Sequence, residues 1–159
     1  MRPVSSHRKQ IADFCSWNGL LVLSGIKPDA ANDGHVFRDS ELGTGLWFGG
    51  IDDLWKLGKP VGHGGPWLDT KAKAHLPSDP YLMTGYDQKS VHISHGHSEP
   101  VSITLEVDID GNGLWVKYKS FKVPNVTTTR HDFPTAFSAC WIRAVSDADT
   151  SATVQFVYR

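Results

Sequence analysis

The stretch VSITLEVDIDGNGLWVKY, residues 101–118, decides the fold class. In its first half, apolar residues occupy the odd positions 101–109, and Ser, Thr, Glu and Asp occupy the even positions. This alternation is typical of a strand with one side on a core and the other in water. The following pairs, Asp110-Gly111 and Asn112-Gly113, predict a hairpin turn, because Gly and Asn tolerate positive φ. The stretch therefore predicts two antiparallel strands.

The same DIDGNG segment also has the first half of a calcium-binding loop. Asp108, Asp110 and Asn112 would supply oxygen atoms at the first, third and fifth positions, with Gly113 at the sixth. The twelfth position needs a bidentate carboxylate but is Lys119, and both flanks are strand-like where the motif requires helices. We therefore favour the hairpin, in which acidic residues of the first strand face lysines of the second on the solvent side.

Seven β-like runs separated by turn segments extend from residue 81 to the end of the chain, a pattern typical of an antiparallel sandwich. In the run after the hairpin, Val116 and Tyr118 have even positions, whereas Phe121 and Val123 have odd positions. In a regular strand the two pairs would therefore face opposite sides of the sheet. A β-bulge near residues 119–120 would reconcile them, because one extra residue changes the facing of everything after it. Residues 81–159 are thus predicted to form a β-sandwich of the jelly-roll or Ig-like kind.

In residues 1–60, glycines and other turn-forming residues separate short apolar runs, which predict a few blade-like β-strands. GLLVLSG at 19–25 reads as a buried strand, and GLWFGGIDDLWKLG at 45–58 reads as two more. Residues 61–80 are rich in Pro and Gly and have little periodicity, so they predict an ordered loop or linker between two regions. With little helix expected, the predicted fold class is all-β: an antiparallel β-sandwich preceded by blade-like strands.

Composition excludes several partners. The 159 residues include 16 Lys and Arg against 17 Asp and Glu, so no broad attraction to nucleic acid or to an anionic membrane is expected. No stretch approaches the roughly 18 apolar residues of a membrane span. No convincing signal peptide is present, which predicts a soluble chain, cytoplasmic as it stands and secreted if it is part of a longer protein. Cys15 and Cys140 leave the compartment and their pairing open.

Histidines are the candidate ligands for a transition metal. His95 and His97 would share one face of a strand, and two imidazoles at that spacing can reach one zinc or nickel ion. A metal site needs three or four converging ligands, and no carboxylate or thiol sits at a recognisable interval. The sequence therefore predicts no metal and no cofactor, with His95 and His97 as the pair to test.

Acidic side chains leave a glycoside hydrolase or lyase open as an alternative. Such chemistry needs two carboxylates about 5 to 10 Å apart across a sugar. The candidate acids are Asp52, Asp53, Asp69, Asp79, Asp87 and Glu99. Aspartates beside Gly, Pro or Ser more often form turns than act as catalysts, and the sequence has no catalytic-serine elbow, phosphate loop or HExxH motif.

A glycan is the expected ligand, because aromatic rings with polar neighbours suit sugars: C–H faces stack on rings while hydroxyls form hydrogen bonds. Trp55 and Trp67 flank a Gly- and Pro-rich segment, and Trp115 begins the strand after the hairpin. The candidate ligand-binding residues are Trp55, His63, Trp67, Asp69, Tyr86 and Trp115. The alternative for each aromatic ring is packing in the sandwich core.

Residues 45–87 resemble the C-terminal region of bacterial β-propeller proteins of the sialidase-like, or BNR-repeat, kind, in which a last blade runs into a β-sandwich. The matching segments are LWFG at 46–49, DDLW at 52–55, GKP at 58–60, GGPWLD at 64–69 and SDPYLMTGYD at 78–87. The resemblance implies a last blade followed by a sandwich. The chain has room before Pro60 for about one blade, so a complete propeller with a central active site is not expected.

The leading functional hypothesis is a non-catalytic β-sandwich module of a carbohydrate-active protein that binds glycan or braces a neighbouring domain. A fragment or small form of a glycan-degrading enzyme is one alternative, and a structural or oligomerisation protein is another. Blade-like strands without neighbouring blades would have exposed edges. Those edges predict pairing with a second copy of the chain or with a neighbouring propeller domain.

Overall fold

The described residues form twelve β-strands and one 3₁₀ helix in two structural units. The computed structural model describes residues 3–7, 9–39 and 41–159. Contacts divide the chain at residue 60: the smaller unit is Val4–Lys59, and the larger contains Pro60–Arg159. No helix within the described ranges is long and apolar enough to cross a membrane.

The smaller unit is built on one four-stranded antiparallel sheet. Its strands are β1 (Asp13–Trp17), β2 (Leu20–Ile26), β3 (Val36–Asp39) and β4 (Thr44–Gly49), in the order β1-β2-β4-β3. Leu23, Ile26 and Trp47 form a small buried core on this sheet. A four-stranded sheet is also the unit of a propeller blade. In this sheet, however, β4 pairs with β2 and β3 lies at the edge, so the strand order differs from the order in the chain.

A 3₁₀ helix, Ile51–Leu57, follows β4 where the sequence predicted a further strand. The Asp53 carboxylate accepts a hydrogen bond from the Gly50 N–H at 2.9 Å and pairs with Lys56 at 2.8 Å. An aspartate that bonds its own nearby backbone offers the chain an alternative to extended structure. Local capping therefore overrides the apolar pattern that indicated a strand.

The larger unit contains eight strands in two four-stranded antiparallel sheets. They are β5 (Gly62–Ala72), β6 (Tyr81–Leu82), β7 (Lys89–His95), β8 (Val101–Asp108), β9 (Trp115–Val123), β10 (Thr129–Asp132), β11 (Trp141–Ser146) and β12 (Thr150–Tyr158). The first sheet has the order β10-β7-β12-β5, and the second has the order β6-β11-β8-β9.

One hydrophobic core lies between these two sheets. Val91 and Phe156 of the first sheet and Leu105 and Ile142 of the second are fully buried members of the same cluster. Buried and half-buried positions alternate along β7, β8, β11 and β12. Each strand thus contributes one side to the core. The predicted all-β, sandwich-like fold is confirmed, and each of the seven runs after residue 80 contains a strand.

Residues 62–72 form a strand, β5, where the sequence predicted a loop or linker. This strand pairs with β12 from Gly62 opposite Tyr158 to Ala72 opposite Thr150, with register shifts between these pairs. At Gly65, an added Cβ would collide with the Val154 carbonyl oxygen. Glycine permits this close approach of two backbones, and the irregular register hides the alternation by which a strand is recognised in sequence.

The hairpin predicted from the opening stretch joins β8 and β9. Leu105 lies opposite Lys119, and the next residue, Glu106, lies opposite Lys117, so Tyr118 is the extra residue of a β-bulge. The predicted bulge is therefore present, one residue before the predicted position. Phe121, after the bulge, is buried in the core, as its parity required.

Tyr118 contacts a half-buried histidine of β10. The Tyr118 hydroxyl oxygen and the Nε2 atom of His131 lie 2.9 Å apart, and the rings of Phe121 and Phe133 pack on the imidazole. Burial, followed by the nearby positive charge of Lys119, holds the pKa of His131 below its usual value. The neutral imidazole is therefore the form that the folded protein favours.

We expect His131 to lower the free energy of unfolding in mild acid. As the pH falls through about 6.5, the unfolded chain takes up the proton before the folded protein does, so stability is lost. Urea denaturation at about pH 7.5 and about pH 5.5 should show a larger loss for wild-type protein than for His131→Gln. The other histidines are present in both proteins, so equal losses would contradict this role of His131.

Candidate functional site

The outer side of the first sheet is almost entirely polar. Because β7 and β12 bury every second residue, their other residues point away from the core. With the paired positions of β10 and β5 they form a surface that we call the polar face. Its members are His63, Lys71, Ser90, His92, Ser94, Arg130, Asp132, Ser151, Thr153, Gln155 and Val157, together with Asp69, which is hydrogen-bonded to Ser151 and Thr153.

A pocket of about 440 Å³ opens over one end of the polar face. Ser90 and His92 of β7 and Val157 of β12 form its floor, while Phe133 and Thr135 of the segment after β10 line its side. The volume lies within the range of sites for small molecules. Its lining combines hydroxyl and imidazole groups with two apolar side chains, and this mixture suits a ligand that is polar at its edges.

Arg130 and Asp132 form an ion pair at the wall of the pocket. Nη2 and Nε of Arg130 lie 2.7 Å and 3.2 Å from Oδ1 of Asp132. The two side chains are 61% and 65% exposed, so the pair itself contributes little to stability. Both groups keep hydrogen-bonding capacity, because a guanidinium has five N–H donors and a carboxylate has a second oxygen.

Lys89 holds the base of the pocket together. Its side chain is only 7% exposed, and its ammonium donates to the carbonyl oxygens of Tyr86 at 2.6 Å and Phe137 at 2.9 Å. Burial lowers the pKa of Lys89, an effect that the charge of Asp87 partly opposes. The lysine thus joins the segments before β7 and after β10, both of which border the pocket.

Two of the predicted ligand-binding residues, His63 and Asp69, lie on the polar face. His63 is opposite Val157, so the two side chains share one side of the sheet. The Asp69 carboxylate accepts a hydrogen bond from Ser151 at 2.5 Å, and its N–H donates to the Thr153 hydroxyl at 2.9 Å. These bonds hold Asp69 at φ 49°, in the left-handed region.

The rings of two other predicted residues, Trp67 and Tyr86, pack against other side chains of the larger unit. Trp67 is 5% exposed and belongs to the sandwich core, so its ring offers no platform to a sugar, contrary to the sequence prediction. Its position on β5 faces inward, opposite the fully buried Val154. Tyr86 stacks on Tyr158 with ring centroids 4.1 Å apart and is half-buried.

The remaining predicted aromatic residues lie away from the polar face. Trp115 lies on the outer side of the second sheet, where the Arg143 guanidinium covers its ring at 4.3 Å. Arg143 is held there by Glu106, 2.7 Å away. Trp55 is 55% exposed on the 3₁₀ helix of the smaller unit. The pocket is therefore not assembled around the predicted tryptophans.

The two histidines proposed for a metal test are engaged with the backbone. Nε2 of His95 lies 2.9 Å from the Val123 carbonyl oxygen, and its Nδ1 lies 3.1 Å from the N–H of His97. Nδ1 of His97 accepts from the N–H of Glu99 at 3.1 Å. Across residues 3–7, 9–39 and 41–159, no group of three or more His, Cys, Asp or Glu side chains is placed to hold a metal ion.

Asp108, the first residue of the calcium-like motif, is 2% exposed, so it is not one of the solvent-exposed charges that the sequence predicted. Its carboxylate accepts hydrogen bonds from the N–H groups of Gly111 at 2.8 Å, Asn112 at 3.3 Å and Gly113 at 2.8 Å. The carboxylate thus satisfies the amides of its own loop. The motif contributes hairpin structure, as the sequence interpretation favoured.

None of the six predicted ligand-binding residues lines the pocket, and of the candidate acids only Asp87 does. Arg130, Asp132, Thr135 and Arg159 were not among the candidate residues, yet all four line it. The alternation in TRHD at 129–132 was the available signal, because it places Arg130 and Asp132 on one side of a strand. Which residues of β7 and β12 lie beside them depends on the order of strands in the sheet, and a local sequence pattern does not predict that order.

Comparison with known protein families, with curated proteins and with solved structures finds no match to this chain.

Proposed function

We propose that the chain is a non-catalytic β-sandwich module of a carbohydrate-active protein, and that it binds a glycan in the pocket on the polar face. The observation that carries the proposal is the pocket lining, where hydrogen-bonding side chains lie beside Val157 and the small exposed part of Phe133, which is 8% exposed. Sugar rings have the same division, with hydroxyls at the edge and C–H groups on the face. Few polar groups on a rigid sheet suffice to orient such a ligand.

Loss of two polar groups from the pocket should weaken glycan binding. We expect the His92→Ala and Arg130→Ala double variant to bind its best glycan about tenfold or more weakly, because hydrogen bonds to a pocket centre carry much of the affinity. Affinity electrophoresis of the full chain against cellulose, xylan, pectin and alginate would identify the glycan, and calorimetry would measure it.

Lys122→Ala is the matched control, since Lys122 is exposed on the outer side of the second sheet, opposite Ser102. The control should bind as wild type does. Unchanged affinity in the double variant would move the binding site elsewhere, and failure of the wild-type protein to bind any of these glycans would remove the proposed function.

A glycan-degrading enzyme remains the second candidate, because Asp87, His92 and Asp132 line the same pocket. Two carboxylates beside one ligand are the minimum that glycoside hydrolysis requires. The same glycans incubated with the protein can be assayed for new reducing ends. Product formation that disappears in Asp132→Asn would favour the enzyme over the binding module.

Bracing of a neighbouring domain is the alternative role for the smaller unit. Trp17 and Phe37 are 58% and 63% exposed on its sheet, and both pack edge-on against Phe48, with ring centroids 6.2 Å and 5.3 Å apart. Exposed apolar groups of this kind often mark protein contacts, and a last blade of a sialidase-like propeller would present such a surface to the blade before it. Co-purification with a larger propeller fragment would favour this role.

A further inference from the structure

The pocket brings two exposed arginines to one side of the first sheet. Arg130 and Arg159 line it together with the carboxylates of Asp87 and Asp132. Lys89 also borders the pocket, but its ammonium is buried and donates to two backbone carbonyls. The pocket therefore offers guanidinium groups to an anionic ligand without a large net positive charge.

The two arginines retain donors for a ligand. Arg130 uses two N–H groups on one oxygen of Asp132, which leaves three of its five donors. Arg159 is positioned by its backbone, whose N–H and carbonyl pair with Gln88 at 2.9 Å and 2.8 Å. The ion pairs found between described residues do not include Arg159.

The backbones of the same two arginines lie on opposite sides of β7. Arg130 is on β10 opposite His92, whereas Arg159 follows β12 and pairs with Gln88, four residues earlier in the chain. Their backbones are therefore separated by about 13 Å along the strands and about 10 Å across β7. A single ligand that pairs with both guanidinium groups would bridge the two strands on either side of β7 and would need an acceptor for each group, which carboxylates supply best.

We propose that the glycan is a polyuronate, whose successive sugar rings carry carboxylates that pair with Arg130 and Arg159. This inference rests on the proposed function and specifies its ligand. Guanidinium and carboxylate groups form charge-assisted, often bidentate hydrogen bonds that a neutral hydroxyl cannot replace. Ser90, His92 and the second oxygen of Asp132 then remain for ring hydroxyls.

Polygalacturonate and its fully methyl-esterified form test the proposal, because they share a backbone and differ in charge. The full chain should bind polygalacturonate oligosaccharides about tenfold or more tightly than the esterified ones. That preference should shrink as salt is raised, because exposed charges are screened. Arg159→Gln and Arg130→Gln should each reduce the preference, with Lys122→Gln as the control and far-ultraviolet circular dichroism as the check of folding.

The outcomes separate the two proposals. Equal binding of charged and esterified oligosaccharides, sensitive to His92→Ala, would overturn the polyuronate assignment and retain glycan binding. A preference for charge that both arginine variants keep would also overturn it, since the carboxylates would then be recognised elsewhere. Absence of binding to either oligosaccharide and to neutral glycans would overturn the polyuronate assignment together with the proposed function.

Discussion

Gly65→Ala is expected to lower the free energy of unfolding of the larger unit by about 3 kcal/mol or more. An added Cβ would overlap the Val154 carbonyl oxygen and approach the Gln155 Cα atom at 2.9 Å. Both are backbone atoms of β12, the strand that pairs with β5 and β7, so no side-chain rotation relieves the collision. Urea denaturation followed by circular dichroism would measure the change.

Gly96→Ala is the matched control for that substitution. The nearest atoms to a Cβ at position 96 are Cβ and the carbonyl oxygen of Ser151, both at 3.8 Å, which is ordinary contact. The control should be neutral or slightly stabilising, because alanine restricts the unfolded chain. Similar stability of the two variants would mean that β5 does not approach β12 as closely as the structure shows.

The second large effect is expected at Asp108. Asp108→Ala removes the acceptor for three loop amides and leaves a small void at a residue that is 2% exposed. We expect a loss of about 2 kcal/mol, because hydrogen bonds to a charged acceptor are stronger than neutral ones, although the freed amides gain water. Differential scanning calorimetry would report the lowered melting temperature.

Asp110→Ala separates hairpin structure from metal binding. Asp110 is exposed, and its substitution should change stability by less than about 0.5 kcal/mol. Excess Ca²⁺ should leave the melting temperature of wild-type protein unchanged, because the Asp108 carboxylate already serves its loop. A rise in melting temperature with Ca²⁺ that Asp108→Ala or Asp110→Ala abolishes would restore the calcium-site interpretation.

The strands of the sandwich could be predicted from the sequence where one side of a strand is buried and the other is not, because apolar and polar residues then alternate. Alternation along residues 101–109 and the turn pairs after Asp108 identified the β8–β9 hairpin, and the parity change before Phe121 located its bulge to within one residue. The same reasoning failed for β5, because register shifts interrupt its alternation. It also failed at Ile51–Leu57, where an aspartate cap produces a 3₁₀ helix.

The candidate site was only partly predictable. His63 and Asp69 belong to the polar face, whereas Trp67 faces the core because its position on β5 opposite Val154 points inward. Arg130 and Arg159 reach one pocket only because β7 lies between β10 and β12. Sheet order of this kind is set by packing over the whole unit rather than by residues near each other in sequence.

The irregular course of β5 also bears on how the protein behaves at high concentration. β5 is an edge strand of the first sheet, and a regular edge is a template on which another chain can add a strand. Pro66 lacks an N–H donor, and the left-handed backbone of Asp69 and the register shifts interrupt the row of free amide groups. The features that hid this strand in the sequence therefore also protect the sheet against edge-to-edge aggregation.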